Sequence, residues 1–305
     1  MTAYLGRRLF QSIFVLIGLV TAVFLVTQGL GDPARLMLPP EASVEAYQEL
    51  RQAMGYDDPI LVQFIRFVSR AAIGDFGLSV WQHVPVMPLV MGRLPATLIL
   101  AFVTVALSIL VAIPVGMLSA TRPGSLADRV TTVLSLAGVC VPGFWLALML
   151  ILFFAVTLKW FPTSGYGEPK FLVLPVLTLL PLLVGNISQV VRCTMLDEIQ
   201  RAYVVTARAK GLPERKVVYY HALKNVAIPV ITQAGGNLLG LLNGTVIVET
   251  IFAWPGLGLL TIEAINNRDL PLLQGCVVVY AFMVIAVNIL VDILYAAVDP
   301  RVRFQ

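Results

Sequence analysis

Six stretches of this chain each run for more than twenty residues without an Asp, Glu, Lys or Arg, and no other feature limits its fold as tightly. They lie between Arg8 and Asp32, Arg93 and Arg122, Arg129 and Lys159, Lys170 and Arg192, Lys224 and Glu249, and Asp269 and Asp292, the last continuing through Asp292 to about Val298. A helix of roughly 20 apolar residues crosses the ~30 Å hydrocarbon core of a bilayer with every backbone group bonded internally. The spacing therefore predicts six transmembrane helices. Composition agrees, with 58% of residues hydrophobic and 12% charged, about half the charged share of a soluble domain.

The first stretch follows Arg7 and Arg8 as a secretory signal would. It is too long for a signal core, and no small-residue cleavage site follows within reach, so it reads as a retained helix. Loop charge sets the expected orientation. Loops 1–8, 122–129, 192–224 and 299–305 hold 13 of the 21 Lys and Arg, whereas the longer loops 31–93, 159–170 and 249–269 hold 8. The basic set belongs on the cytoplasmic side, with both termini inside. The formal charge of +4 then marks a face beside anionic lipid, not a nucleic-acid groove. Cys140, Cys193 and Cys276 stand apart, and His83 and His221 fall on opposite sides, so neither a disulfide framework nor a metal site is expected.

The expected organisation is a tail and first span over 1–30, an extracytoplasmic loop over 31–93, and a core over 94–305 with five spans and a cytoplasmic loop at 193–224. In the outer loop, "SVEAYQELRQAMG" offers Ser43 as an N-cap, Leu50 and Met54 four apart, and Gly55 as a stop. "PILVQFIRFVSRAAIGDFG" sets Ile60, Phe64, Phe67 and Val68 on one face and ends at Gly74 or Gly77. Two amphipathic helices follow, either lying on the outer membrane surface or packed as a lid.

Pro114, Pro142, Pro175, Pro181 and Pro229 fall inside spans, where each removes a helix hydrogen bond and predicts a bend. In the fifth span Gly236, Gly240 and Gly244 form a small stripe where another helix could approach closely. Gln233, Asn237, Asn243 and Glu249 accompany it, and the sixth span holds Asn288 and Asp292. Polar groups at this depth face the protein interior or a water path. A translocation path, plain helix-to-helix bonding and lipid exposure are the three readings open to them.

The loop from Arg192 to Lys224 differs from the rest of the chain. "LDEIQRAYVVTARAKG" predicts a helix with Asp197 and Glu198 near its start and Arg208 and Lys210 near its end, the order that suits a helix dipole. Gly211 supplies a left-handed closing residue, and Pro213 fits the first turn of a second helix through "ERKVVYYHALKN". Tyr203, Val204, Ala207, Leu212 and Val217 would give this elbow an apolar edge among the charges of Arg208, Lys210, Arg215 and Lys216. It reads as a solvated basic loop or as a docking elbow for a cytoplasmic partner.

Enzymatic motifs are missing from the sequence: there is no G-x-x-x-x-G-K-[ST], H-E-x-x-H or G-x-S-x-G. "GLGD" at 29–32 and "YD" at 56–57 echo the paired aspartates of intramembrane proteases. Such a dyad needs facing carboxylates that share a proton, whereas Asp57 sits in a soluble loop and Asp32 precedes a proline.

"TARAKG", nine residues, then "HALKN" resembles the cytoplasmic loop of binding-protein-dependent ABC importer permeases. "GDPAR", "GDFGLS", "RLPATL", "VPGFWLALMLIL", "FPTSGYG", "VETIFAWPGLGLL", "NRDLPLLQG" and "VDILYAAVDPRVRF" follow the dipeptide, oligopeptide and nickel subfamily in order. The broader importer pattern has Glu-Ala-Ala where Val205, Thr206 and Ala207 stand, and a proline where Lys224 stands. Both departures point toward the peptide subfamily.

The resemblance implies an all-α membrane protein with the type I ABC importer permease fold. It implies a multi-pass subunit of the bacterial inner membrane, not an enzyme, that binds no cofactor itself. ATP and Mg would sit on partner ATPases, two of one kind or one of each of two kinds. A second homologous permease subunit would complete a heterodimer, and an extracytoplasmic binding protein would deliver substrate. Thr206, Ala207, Arg208, Ala209, Lys210, Gly211, Leu212 and Pro213 would form the ATPase-coupling elbow. Di- or oligopeptides are the expected substrate, with glutathione, nickel chelates, opines and oligosaccharides as alternatives. A standalone secondary transporter would carry internal inverted repeats, and none is evident.

Overall fold

The computed structural model describes residues 2–29, 34–35, 38 and 42–298. Asp32, which bounds the first charge-free stretch, and the basic residues Arg301 and Arg303 lie outside them. The elements are α1 (Thr2–Gly29), α2 (Val44–Met54), α3 (Ile60–Ala72), α4 (Val86–Thr121), α5 (Leu126–Cys140), α6 (Gly143–Leu150), α7 (Pro169–Ile199), α8 (Ala202–Ala209), α9 (Glu214–Lys216), α10 (Leu223–Ile251), α11 (Leu257–Asn266) and α12 (Leu270–Val298). Wide π-type segments follow α6 at Ile151–Thr157 and join α9 to α10 at Val217–Ala222.

Among the described residues five helices are long and apolar enough to cross a membrane, and a bent pair could supply a sixth crossing. That pair corrects the expectation for the third charge-free stretch. Leu126–Cys140 and Gly143–Thr157 meet at 100°. Val141 is extended (ψ 123°) before Pro142, as a residue ahead of proline prefers. The helix stops there. Pro175, Pro181 and Pro229 instead lie within continuous helices, and Pro114 lies inside α4.

Contacts divide the chain into two units. The first holds residues 1–97 and 255–286. There Ser43 accepts from the Ala46 amide at 3.2 Å to start α2, and Gly55 ends it in the left-handed region at φ 67°. Phe64 and Phe67 of α3 close on Phe24 of α1, with centroids 5.3 and 5.9 Å apart. Gln63 accepts from Gln28 at 2.7 Å beside them. The second amphipathic helix is thus packed on the first span. Ile60, expected on the same face, is instead exposed.

Asp269 anchors the return of the chain in this unit. It is fully buried and accepts from Ser79 at 2.5 Å, from the Trp81 amide at 3.1 Å and from the Leu272 amide at 3.1 Å. One carboxylate therefore caps α12 and holds the Ser79–Trp81 segment.

The second unit holds residues 98–254 and 287–305. Its α4, α5 and α7 interlock through glycines. A Cβ on Gly116 would lie 2.6 Å from the Ser188 carbonyl, and one on Gly138 2.6 Å from that of Pro181. A Cβ on Gly185 would overlap the Ser135 carbonyl. Ser135 and Ser188 share a buried hydrogen bond of 2.8 Å at the same seam. Small residues that admit backbone this closely are how helices associate where lipid supplies no hydrophobic drive.

Candidate functional site

The basic segment folds as a corner with its own core. Helix α7 runs on to Ile199, so Asp197 and Glu198 end that helix and do not start the next, contrary to the expectation. The break falls at Gln200–Arg201, where Arg201 is extended (ψ 146°) and α8 begins. Two acids at a helix C-terminus oppose the dipole. Glu198 is compensated by nearby donors: Tyr203 gives it a hydrogen bond of 2.5 Å, Asn225 one of 3.3 Å, and Arg201 lies 3.5 Å away. Asn225 also donates to the Tyr203 hydroxyl at 2.9 Å. This ties "HALKN" to the start of α8.

Gly211 closes α8 at φ 74°. The Leu212 amide bonds to Ala207 at 3.3 Å and the Gly211 amide to Arg208 at 2.9 Å, the paired pattern of a glycine-ended helix. Leu212 then packs on the cluster of Val204, Ala207, Val217 and Ile199. The expected apolar edge is therefore this corner's interior, because Val204, Ala207 and Val217 point inward between α8 and the following helix. Of the expected edge Tyr203 stays exposed, at 38%, and Val205, Tyr219 and Tyr220 join it at 55%, 59% and 69%.

Pro213 precedes α9 by one residue and does not sit within its first turn. The second helix runs on beyond the corner, since α9 continues through the π-type segment into α10. Arg208 spans the corner to Glu214 with bonds of 2.6 and 3.1 Å. Those bonds hold its guanidinium firmly protonated, above its ordinary range. The partners are 40% and 60% exposed, so the pair adds about 0–1 kcal/mol and acts mainly on geometry. Thr206 bonds back to Ala202 at 2.9 Å. Ala209 and Lys210 point outward with Arg215 and Lys216.

The six membrane-depth polar residues do not share one surface. Gln233 donates to Asn237 at 3.1 Å, and the Asn237 amide nitrogen is buried without a partner. Glu249 is fully buried and Asp292 is 7% exposed, whereas Asn288 is exposed. The Asn243 side chain lies outside the described residues. Gly236, Gly240 and Gly244 do form an exposed stripe on α10, and a Cβ added at any of them would meet no other part of the chain within 4 Å. Within this chain the close helix approaches fall at Gly116, Gly138 and Gly185.

A separate cavity of about 110 Å³ in the first unit is lined by Phe24, Gln28, Gln63, Arg66, Arg70 and Gln274, among others. Its arginines already pair with Asp58 and Asp75. The Gly77 amide and Arg70 hold the Asp75 carboxyl below its usual range. Among the described residues no group of His, Cys, Asp and Glu could hold a metal.

One further cluster was not apparent from the sequence. Asp128, 5% exposed, takes bonds from Ser119, from the Gly124 amide at 2.9 Å, and from Arg192 at 2.7 and 3.1 Å. The available signal was slight: Asp128 stands beside Arg129, which bounds one charge-free stretch, and Arg192 bounds another.

These features define a polytopic helical membrane protein whose basic segment over 192–224 is a structured corner. The chain belongs to the binding-protein-dependent transport system inner membrane components, the family it matches over residues 112–304. Residues 1–101 match the N-terminal membrane component of the same systems. It is 37% identical to the oligopeptide transport system permease protein AppB of Bacillus subtilis (strain 168), over the full length of both chains. It is 35% identical to the glutathione transport system permease protein GsiC of Escherichia coli (strain K12), again end to end. Among solved structures, the MetNI methionine ABC transporter in inward-facing conformations shares the fold at a TM-score of 0.60 and 20% identity, covering 70% of this chain and 97% of that one. The chain is thus an ABC importer permease subunit of the inner membrane.

Proposed function

We propose that this chain carries di- or oligopeptides inward as one half of a heterodimeric permease, and that its Thr206–Pro213 corner docks a cytoplasmic ATPase. The observation that carries this reading is the corner itself. A bare positive-inside loop needs no buried cluster, no glycine closure and no salt bridge across the turn, and this segment has all three. Val205, Ala209, Lys210, Tyr219 and Tyr220 are left outward for a partner. Both termini lie in the cytoplasm on this reading, and ATP and Mg are bound by the partner subunits. The division into residues 1–30, 31–93 and 94–305 is retained as the working domain scheme.

ATP binding draws the two ATPases together, and each corner follows its ATPase as a rigid body. The spans then exchange an inward opening for an outward one facing the binding protein, and hydrolysis resets them. Such a shift requires ATP and loaded binding protein to favour the same state. The uncovered stripe at Gly236, Gly240 and Gly244, with Gln233, Asn237 and Asn243 on the same helix, is the face offered to the second subunit and the path. On this reading the exposed Asn288 and the buried Glu249 and Asp292 also belong to the path.

The peptide assignment rests on the names of the relatives, and the glutathione relative keeps that tripeptide in view. The test is reconstitution with the cognate partner subunits and binding protein. Dipeptides, oligopeptides, glutathione, a nickel chelate, an opine and an oligosaccharide would each be assayed for stimulated ATP hydrolysis and uptake. Peptides should stimulate both. Stimulation confined to a chelate, an opine or an oligosaccharide would overturn the substrate class, and assembly without any ATPase would overturn the coupling.

A further inference from the structure

We infer that Asp128 and Arg192 form a positioning pair that makes α4 and α5 move with the corner. The inference rests on the coupling role proposed for that corner. Both carboxylate oxygens of Asp128 are engaged: Oδ1 accepts from Ser119 and from Arg192 Nε at 2.7 Å, and Oδ2 accepts from the Gly124 amide at 2.9 Å and from Arg192 at 3.1 Å. Arg192 Nε also reaches the Ser119 hydroxyl at 3.0 Å. Ser119 ends α4, Gly124 lies in the turn, Asp128 begins α5 and Arg192 belongs to α7. Four pieces of chain therefore meet on one carboxylate.

Placement gives the cluster its meaning. Helix α7 continues unbroken from Arg192 to Ile199, about 10 Å of rigid rod, and the corner begins at once beyond it. Deeper in the membrane the same three helices are locked by Gly116, Gly138, Gly185 and the Ser135–Ser188 bond. The ion pair is the fastening nearest the corner. A push on α8 reaches α7 first, and at Arg192 it is handed to both ends of the α4–α5 turn.

Charge is a poor choice here for stability alone. A buried ion pair can be replaced by apolar side chains of similar volume with little loss, whereas deleting one partner strands a charge. What a bidentate guanidinium–carboxylate pair adds is a fixed orientation. Asp128 and Arg192 are thus suited to hold a register between helices.

The test compares Asp128→Asn, Arg192→Lys and the double variant Asp128→Ala/Arg192→Met in the reconstituted importer. Four quantities are read: assembly with the ATPase, basal hydrolysis, stimulation by loaded binding protein, and transport per ATP. The double variant strands no charge, so it should assemble as the wild type does. Stimulation and transport per ATP should still fall by about 5-fold or more, the range of an ordinary coupling energy. A purely structural fastening predicts that stimulation returns together with assembly, and that outcome overturns the inference. If the double variant does not assemble, Arg192→Lys decides, because it keeps the charge but loses the two-pronged grip. Normal stimulation in that variant also overturns the inference. Failure of the docking reading looks different, since there the ATPase would be absent from the purified complex altogether.

Discussion

Gly211→Val is expected to abolish transport and substrate-stimulated ATP hydrolysis while membrane insertion of the chain stays at the wild-type level. The cause is local. Gly211 sits at φ 74° with open space around it, so the penalty is backbone strain and not a clash. For a residue with a Cβ the left-handed region costs roughly 1–2 kcal/mol, and a β-branched valine is among the least tolerant. Relief of that strain unwinds the closure of α8. The Leu212–Ala207 and Gly211–Arg208 bonds are lost, and Leu212 leaves its place against Val204, Ala207 and Val217. None of these groups lies in the packed seam of α4, α5 and α7, so insertion proceeds. Gly211→Asn, which tolerates this conformation better, should recover much of the activity. Full transport in Gly211→Val would remove the coupling role from the corner.

Gly185→Val has the largest expected effect on the folded chain itself. Any Cβ at this position overlaps the Ser135 carbonyl, and the Val139 side chain lies at 2.9 Å. Backbone cannot swing aside as a side-chain tip can, so α5 and α7 must separate. Overpacking of this kind costs about 1–3 kcal/mol, occasionally more, and separation would also strain the Ser135–Ser188 bond. Thermal unfolding in detergent should show an apparent Tm several degrees lower, with reduced yield. Gly240→Val is the control, because nothing lies within 4 Å of that site. It should leave the Tm of the isolated chain close to wild type and reduce assembly with the second permease subunit. Equal destabilisation by both variants would contradict the division into a packed seam and an open stripe.

Local chemistry was readable from the sequence wherever neighbouring residues decide it. Ser43 and Gly55 bound α2, and Gly211 ends α8, because caps and left-handed closures depend on a few adjacent residues. The charge-free stretches gave five long apolar helices directly. The exceptions depend on contacts distant in sequence. The prolines within spans looked alike, yet only Pro142, after an extended Val141, breaks its span, while Pro175, Pro181 and Pro229 ride inside continuous helices. The glycines within spans were equally permissive on paper, but the facing carbonyls of Ser188, Pro181 and Ser135 choose Gly116, Gly138 and Gly185 as the tight ones. Charge order alone placed Asp197 and Glu198 at a helix start. Donors from Tyr203 and Asn225 let Glu198 end a helix instead. Val204, Ala207, Leu212 and Val217 were legible as apolar residues of the corner, whereas their inward packing and the exposure of Val205, Tyr219 and Tyr220 depend on α8 folding against the π-type segment.

The central claim is that this corner is the cytoplasmic grip of an ATPase, and a cross-link tests it most directly. Ala209 points outward from α8, so Ala209→Cys can carry the reagent once Cys140, Cys193 and Cys276 are replaced. In inside-out vesicles holding the assembled complex, the introduced thiol should cross-link to the ATPase in high yield, with the yield changing on addition of ATP. The contradicting result is a thiol at this position that reacts freely with a water-soluble maleimide, from either face, and never joins the ATPase.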